Sequence, residues 1–354
     1  MTLDRAASAS PLRRPSGAAI NPMVLTGPML LPILDTNALL TEACNMVKHE
    51  RQQDKVTALA GTGRATPHIA AHVPGEIDEH LARVASDYQV PERQVRRLLG
   101  QQILPALRVV DLEIRDHLAP QTRHILRVDL CLEPRHRGDP DDAPTMALAE
   151  FLGPCVIVTQ DSVFSRFGFA VVDWIPVAQN LLRLAGLEAT AANALVLIDL
   201  ALRLFGAGAQ RLVGLAVRNP LPAAATAAGL LLWGYRRGYL SRSDWRQRIS
   251  RLGELAIPLI EQGNAAMLEH RAISDTLMVV QPPAYPTTEQ LAARYLARCS
   301  RPLTPGELRD ALGRQGHVVS AAQLRRHMRV HRAFVRAPGD LWTLGHPVQG
   351  FRQP

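Results

Sequence analysis

Leu31-Pro32-Ile33-Leu34-Asp35-Thr36-Asn37 is a short apolar run that ends on an acid and passes directly into a helical pattern from Ala38 toward Gln53. Three similar runs follow it: Leu107-Arg108-Val109-Val110-Asp111, Cys155-Val156-Ile157-Val158-Thr159-Gln160-Asp161 and Ala170-Val171-Val172-Asp173-Trp174. Near-continuous apolar runs of this length are expected of strands buried on both faces. Helical patterns over 75–88, 91–103 and 142–152 separate them. Strands alternating with helices predict an α/β domain with a parallel, helix-covered sheet, spanning 30–175.

The flanking text differs. Residues 1–29 are rich in Ala, Ser and Pro with little periodicity and are expected to form a flexible arm. Residues 15–34 are uncharged but interrupted by Pro15, Pro22, Pro28 and Pro32, so a secretory leader is not expected. Residues 176–276 read as helical without strand signals. Within them Asn219–Tyr235 is 17 residues without a charge, just short of the roughly 18–20 needed for a bilayer span. Two readings stand for 190–235: a buried or oligomerising hairpin, or a membrane-associated one with Arg236, Arg237 and Arg242 on the cytoplasmic side.

Leu277–Pro283 reads as a linker, and 284–346 as a third unit. Thr288–Cys299 is one amphipathic helix. Thr304-Pro305-Gly306-Glu307 opens a second with a capping box and Pro at the first helical position, and Ser320-Ala321-Ala322-Gln323 repeats the device before a third. Phe334–Arg336, a turn at Pro338-Gly339 and Leu341–Leu344 then read as a hairpin. Three helices closed by a hairpin is the winged helix-turn-helix order, and Trp342 and Leu344 are expected in its core.

Composition sets the limits. The 354 residues are 47% apolar and 20% charged, enough for at least one full core. Lys48 and Lys55 are the only lysines among 40 cationic side chains. The net charge of +8 is uneven: 31–173 carries 15 basic and 20 acidic side chains, 284–354 carries 11 and 4. An acidic first domain and a basic last one suggest chemistry at one end and polyanion contact at the other. Cys44, Cys131, Cys155 and Cys299 form no metal or disulfide spacing, which predicts a reducing, cytoplasmic setting.

Several carboxylates of the first domain share one placement. Asp35 and Asp161 follow strands, while Glu76 and Asp142 stand at helix starts. In an open parallel sheet these places meet beyond the carboxyl ends of the strands, where ligands bind. Four carboxylates brought there without Lys or Arg repel, and a hard divalent cation, Mg²⁺ or Mn²⁺, resolves the conflict.

Leu34-Asp35-Thr36-Asn37, Pro74-Gly75-Glu76, Asp139-Pro140-Asp141-Asp142-Ala143-Pro144 with Ala147-Leu148-Ala149, and Val158-Thr159-Gln160-Asp161-Ser162-Val163-Phe164 resemble, in order and spacing, the PIN-domain nucleases over about 31–174. The resemblance implies a PIN-like three-layer fold with Asp35, Glu76, Asp142 and Asp161 as metal-binding, catalytic acids. Asp139 competes with Asp142 for the third position. Thr36, Asn37 and Thr159 would support the acids. Val163 stands where many relatives carry a further acid, which puts a two-metal site in question. The implied chemistry is metal-assisted hydrolysis of RNA phosphodiesters, without a covalent intermediate. Many relatives are dimers, so a homo-oligomer is an implied partner.

His68 and His72 have metal-ligand spacing for a helix, but Ala70-Ala71 lies between them where a zinc protease needs a Glu, so they read as structural. In the third unit, Gln323, Arg325, Arg326, Arg329 and Arg332 fall on or just past the third helix, and Arg336 falls in the wing. Such a helix enters the major groove in helix-turn-helix proteins, which makes nucleic acid, DNA included, the expected contact. Two functions follow: a metal-dependent endoribonuclease recruited to nucleic acid by its basic unit, or a non-catalytic adaptor acting through that unit.

Overall fold

The computed structural model describes residues 31–62, 65–113, 117–120, 122–123, 140–166, 168–171, 173–187, 261, 265–266, 268–299 and 301–348. The N-terminal arm, Asp139 and the 190–235 stretch lie outside these residues. Among the described residues no helix is long and apolar enough to cross a membrane.

The opening run forms β1 (Leu31–Leu34), buried at all four positions, and passes through Asp35 into α1 (Thr36–Lys48). Then come α2 (Lys55–Gly61), β2 (His68–Ala70), α3 (Val73–Asp87) and α4 (Glu92–Leu98). A π turn at Leu99–Ile103 and a 3-10 turn at Leu104–Ala106 lead into β3 (Arg108–Val110). A 3-10 turn at Pro140–Asp142 opens α5 (Ala143–Leu152), followed by β4 (Cys155–Val158) and α6 (Ser162–Arg166). Helix α3 buries Val73, Ile77, Leu81 and Ala85, the i, i+4 stripe of an amphipathic helix on a sheet. Helix α5 buries seven of its ten residues, so it is enclosed on most sides.

The class is α/β. Strands β4, β1, β2 and β3 run parallel in that order. The chain moves from β1 outward through β2 to β3, then returns to place β4 on the other side of β1. The crevice at the carboxyl ends of β1 and β4 is therefore the switch point of the sheet, where open α/β sheets place their ligands.

One expected strand is not formed. Residues 170, 171, 173 and 174 carry no strand, and helix begins at Trp174, with Asp173 Oδ1 accepting from the Ile175 amide at 3.3 Å. The physical reason lies just upstream. The amides of Phe169 and Ala170 both donate to the Phe164 carbonyl, closing a turn after α6 that takes up the Ala170 amide before it could enter a ladder. The expected linker is also more than a tether: Val280 exchanges both backbone hydrogen bonds with Cys155, at 2.9 and 3.2 Å, along the outer edge of β4.

The last unit comprises α7 (Thr288–Ala297), α8 (Pro305–Arg314), α9 (Ala321–Val330) and the hairpin of β5 (Phe334–Ala337) with β6 (Leu341–Leu344). All three helices start with a complete capping box, at Thr287/Gln290, Thr304/Glu307 and Ser320/Gln323. Leu303 forms a single antiparallel bridge with Trp342 beside the hairpin, and Trp342 and Leu344 are buried.

This unit is built into the α/β domain. Strand β7 (His346–Pro347) pairs antiparallel with β3 and completes the five-stranded sheet. Helix α7 packs on α5, and Arg294 and Arg298 donate to the carbonyls of Glu150, Phe151, Leu152 and Pro154 at 2.8–3.4 Å. Two cations thus satisfy the orphan carbonyls at the end of α5 and favour its negative dipole end. His331 stacks on Phe151 with ring planes 7° apart, and its Nε2 lies 2.8 Å from His117 Nε2.

Gly345 makes the edge pairing feasible. It has φ +62, and an added Cβ would stand 2.4 Å from the Val109 carbonyl oxygen. Gly345→Ala is expected to lower stability by about 2–4 kcal/mol, from left-handed strain and the clash together. Gly313→Ala, on α8 with open space around the position, should instead stabilise by about 1 kcal/mol. Urea unfolding midpoints of the two variants check both signs; a Gly345→Ala midpoint equal to wild type would contradict the close approach.

Candidate functional site

Asp35 lies at the switch point because β1 ends there. Its amide donates to the Val158 carbonyl at 3.1 Å, and its own carbonyl accepts from Leu39 as the cap of α1. The side chain is 6% exposed. Thr159, fully buried just past β4, donates its hydroxyl to Asp35 Oδ2 at 2.7 Å. The same hydroxyl oxygen accepts the Asp161 amide at 2.9 Å, and Asp161 Oδ1 accepts from Val163 at 2.7 Å as α6 begins. Thr159 therefore couples Asp35 to the backbone that carries Asp161.

On the other side of β1, Thr36 donates to Glu76 Oε2 at 2.5 Å. Glu76 stands on the first turn of α3, and its Oε1 lies 3.6 Å from His72 Nε2. Asp35, Thr36, Glu76, Thr159 and Asp161 are thereby brought to one end of the sheet. Asn37 is half-buried on the first turn of α1 and makes no side-chain hydrogen bond with the described residues.

The third acid is placed less directly. Asp142 caps α5 without a side-chain cap bond, and Asp139 lies outside the described residues. Asp141, exposed beside Asp142, acts electrostatically on His72. Among the described residues, no three of His, Cys, Asp and Glu stand close enough together to hold a metal ion.

The electrostatics single out Asp35. Burial raises its pKa to about 6; the Thr159 and Thr36 hydrogen bonds oppose the rise, and the charges of Glu76 and Asp161 add to it. His72 offers no dependable countercharge, since burial pushes its pKa below the ordinary histidine value against the pull of Glu76 and Asp141. A buried carboxylate in the field of two other acids is a costly arrangement unless a proton or a cation neutralises it. The donors are carboxylate and hydroxyl oxygens, which suit a hard divalent ion.

His72 and Asp141 were not expected here. The legible signal was the four-residue step from His72 to Glu76 across the start of a helix, which places both on one face. The apparent His68–His72 pair is divided instead. His68 is buried on β2, where burial drives its pKa down to about 3, whereas His72 precedes α3. Cys44, Cys155 and Cys299 are free thiols.

On the last unit, Arg325, Arg326, Arg329, Arg332 and Arg336 are all exposed. Arg325 donates twice to Asp340 Oδ2, at 3.0 and 2.8 Å, and Arg336 lies 3.4 Å from Oδ1 of the same residue. The Gln323 side-chain carbonyl accepts from the Ser320 amide at 3.0 Å, so the cap of α9 occupies it.

Comparison of the chain with family models, curated proteins and solved structures gives no match in any of the three.

Proposed function

We propose that the chain is a metal-dependent endoribonuclease of PIN-like type, in which Asp35, Glu76 and Asp161 would hold Mg²⁺ or Mn²⁺. Asp142 or Asp139 would be the further acid, and the last unit a winged helix that brings in nucleic acid. The observation that carries this reading is Asp35: buried at the switch point, its pKa raised to about 6 chiefly by burial, with the charges of Glu76 and Asp161 adding to the rise. A bound divalent ion supplies a water of lowered pKa and stabilises charge on the scissile phosphate. The chain's own residues do the rest. Thr159 fixes one oxygen of Asp35, Thr36 orients Glu76, and the start of α6 fixes Asp161. Such outer partners hold ligand carboxylates in productive rotamers.

The non-catalytic adaptor is the competing reading, favoured by the lack of three metal-ready side chains in one cluster among the described residues. Cleavage of a mixed-sequence single-stranded RNA decides between them. Cleavage with Mn²⁺ should vanish with EDTA and in Asp35→Asn and Asp161→Asn, and Thr159→Val should lower it about 10–100-fold. Activity surviving both acid substitutions would remove the site. A wild-type protein that neither cleaves nor gains thermal stability from Mn²⁺ would favour the adaptor.

A further inference from the structure

The acids of the last unit are already committed. Glu289 pairs with His327 at 2.5 Å, Glu307 with Arg301 at 2.8 Å and Asp310 with Arg309 at 2.7 Å. Asp340 takes both Arg325 and Arg336. Arg326, Arg329 and Arg332 pair with no acid among the described residues. At 100° per residue, Arg325, Arg329 and Arg326 follow one another along one arc of α9, which runs from the flank of the buried Leu324 and Met328 to the opposite face.

We propose that Asp340 is a built-in counter-ion of a nucleic-acid face on α9 and the hairpin. It occupies Arg325 and Arg336, competes with RNA phosphate for them, and leaves Arg326, Arg329 and Arg332 as the standing contacts. The proposal rests on the reading of this unit as a nucleic-acid binder. Its geometry is specific. Asp340 sits in the hairpin turn at φ +57, directly after Gly339 at φ +79. That turn points the carboxylate back over α9, where two guanidinium nitrogens of Arg325 converge on Oδ2. The Nε1 of Trp342, a buried side chain, donates to Oδ1 at 3.3 Å and holds the carboxylate in place. A carboxylate and a phosphate offer a guanidinium the same acceptors, so an incoming strand must displace Asp340 or bind beside its negative charge. Either way affinity is held down by a residue that need not touch RNA.

The test is binding of the full chain to a short, labelled, mixed-sequence single-stranded RNA in EDTA, titrated between about 50 and 200 mM salt. Asp340→Asn keeps an acceptor for Trp342, and Asn tolerates the left-handed turn. It should bind roughly 5–20-fold more tightly than wild type. Its salt dependence should steepen by about 1.4 in log–log slope, as two further cations reach phosphate. Arg325→Gln with Arg336→Gln should abolish the gain in the Asp340→Asn background, by the logic of a double-mutant cycle. Equal affinity and slope for Asp340→Asn and wild type would overturn the counter-ion while leaving the nucleic-acid face intact. Wild-type binding that survives Arg326→Glu with Arg329→Glu, or no binding by any variant, would overturn the face itself.

Discussion

Asp35→Asn is expected to make the protein harder to unfold at pH 7 while removing its proposed activity. The pKa of this carboxyl rises from an ordinary 3.8 to about 6 on folding, chiefly through burial. A raised acid binds its proton more tightly in the folded state. Its stabilising contribution is therefore complete below pH 3.8 and lost as pH rises through about 6. Above that, ionised Asp35 costs about 3 kcal/mol at 1.36 kcal/mol per unit. Asn removes the charge and can still accept from Thr159, but its amide nitrogen cannot serve as the second acceptor. A net gain of about 1–2 kcal/mol remains.

Urea unfolding in EDTA at pH 4 and pH 7 checks this. His68 pulls the other way, since its neutral form is buried and its contribution is lost as pH falls from 6.5 toward 3. His68 is present in both proteins, so the difference between wild type and variant isolates Asp35. A variant less stable than wild type at pH 7, with the same pH slope, would show that Asp35 is not held at a cost. Mn²⁺ should stabilise wild type more than the variant, because it would bind the charge that Asn lacks.

Lys55→Leu is expected to be among the most damaging single substitutions in the domain, at about 3–5 kcal/mol. Glu42, on α1, is fully buried and accepts from the Lys55 amide at 2.9 Å and from Lys55 Nζ at 3.1 and 3.4 Å. Lys55 Nζ also lies 5.0 Å from the centre of the Trp174 ring. Without the ammonium, Glu42 keeps one backbone donor for a charge in the core. Removing both charges is different: Glu42→Leu with Lys55→Leu should recover most of the loss, because a well-packed apolar pair replaces a buried ionic one at little cost. Denaturation midpoints of the two single variants and the double variant check the cycle. A Lys55→Leu loss under about 1 kcal/mol would mean that the α2 amide alone satisfies Glu42. The site lies close by, since Thr41 on α1 donates to Gln160 Oε1 at 2.9 Å, one residue before Asp161. Loosening α1 from α2 should therefore disturb the acids as well as the core.

The legible parts of the fold were those whose chemistry is local. Leu31–Leu34 and Cys155–Val158 announce buried strands by uninterrupted apolar text, and the capping boxes at Thr304 and Ser320 mark two helix starts within a residue. Strand β2 escaped because three residues carry no period. Ala170–Trp174 misled because an apolar run does not say whether it will find a strand partner. Strand β7 was illegible for a related reason: His346-Pro347 has no strand character of its own and pairs only because Gly345 lets it approach Val109.

The candidate site divides along the same line. Which acids follow strands or open helices is a property of the chain read in order, and so is the excess of arginine in the last unit. Only the tertiary structure decided that Thr159 bridges Asp35 and the backbone of Asp161, that His72 rather than His68 faces Glu76, and that Asp340 holds Arg325 and Arg336. These are contacts between groups distant in sequence or turned by a particular backbone angle. Periodicity places a residue on a strand or a helix face; burial and the neighbours it meets there set its charge.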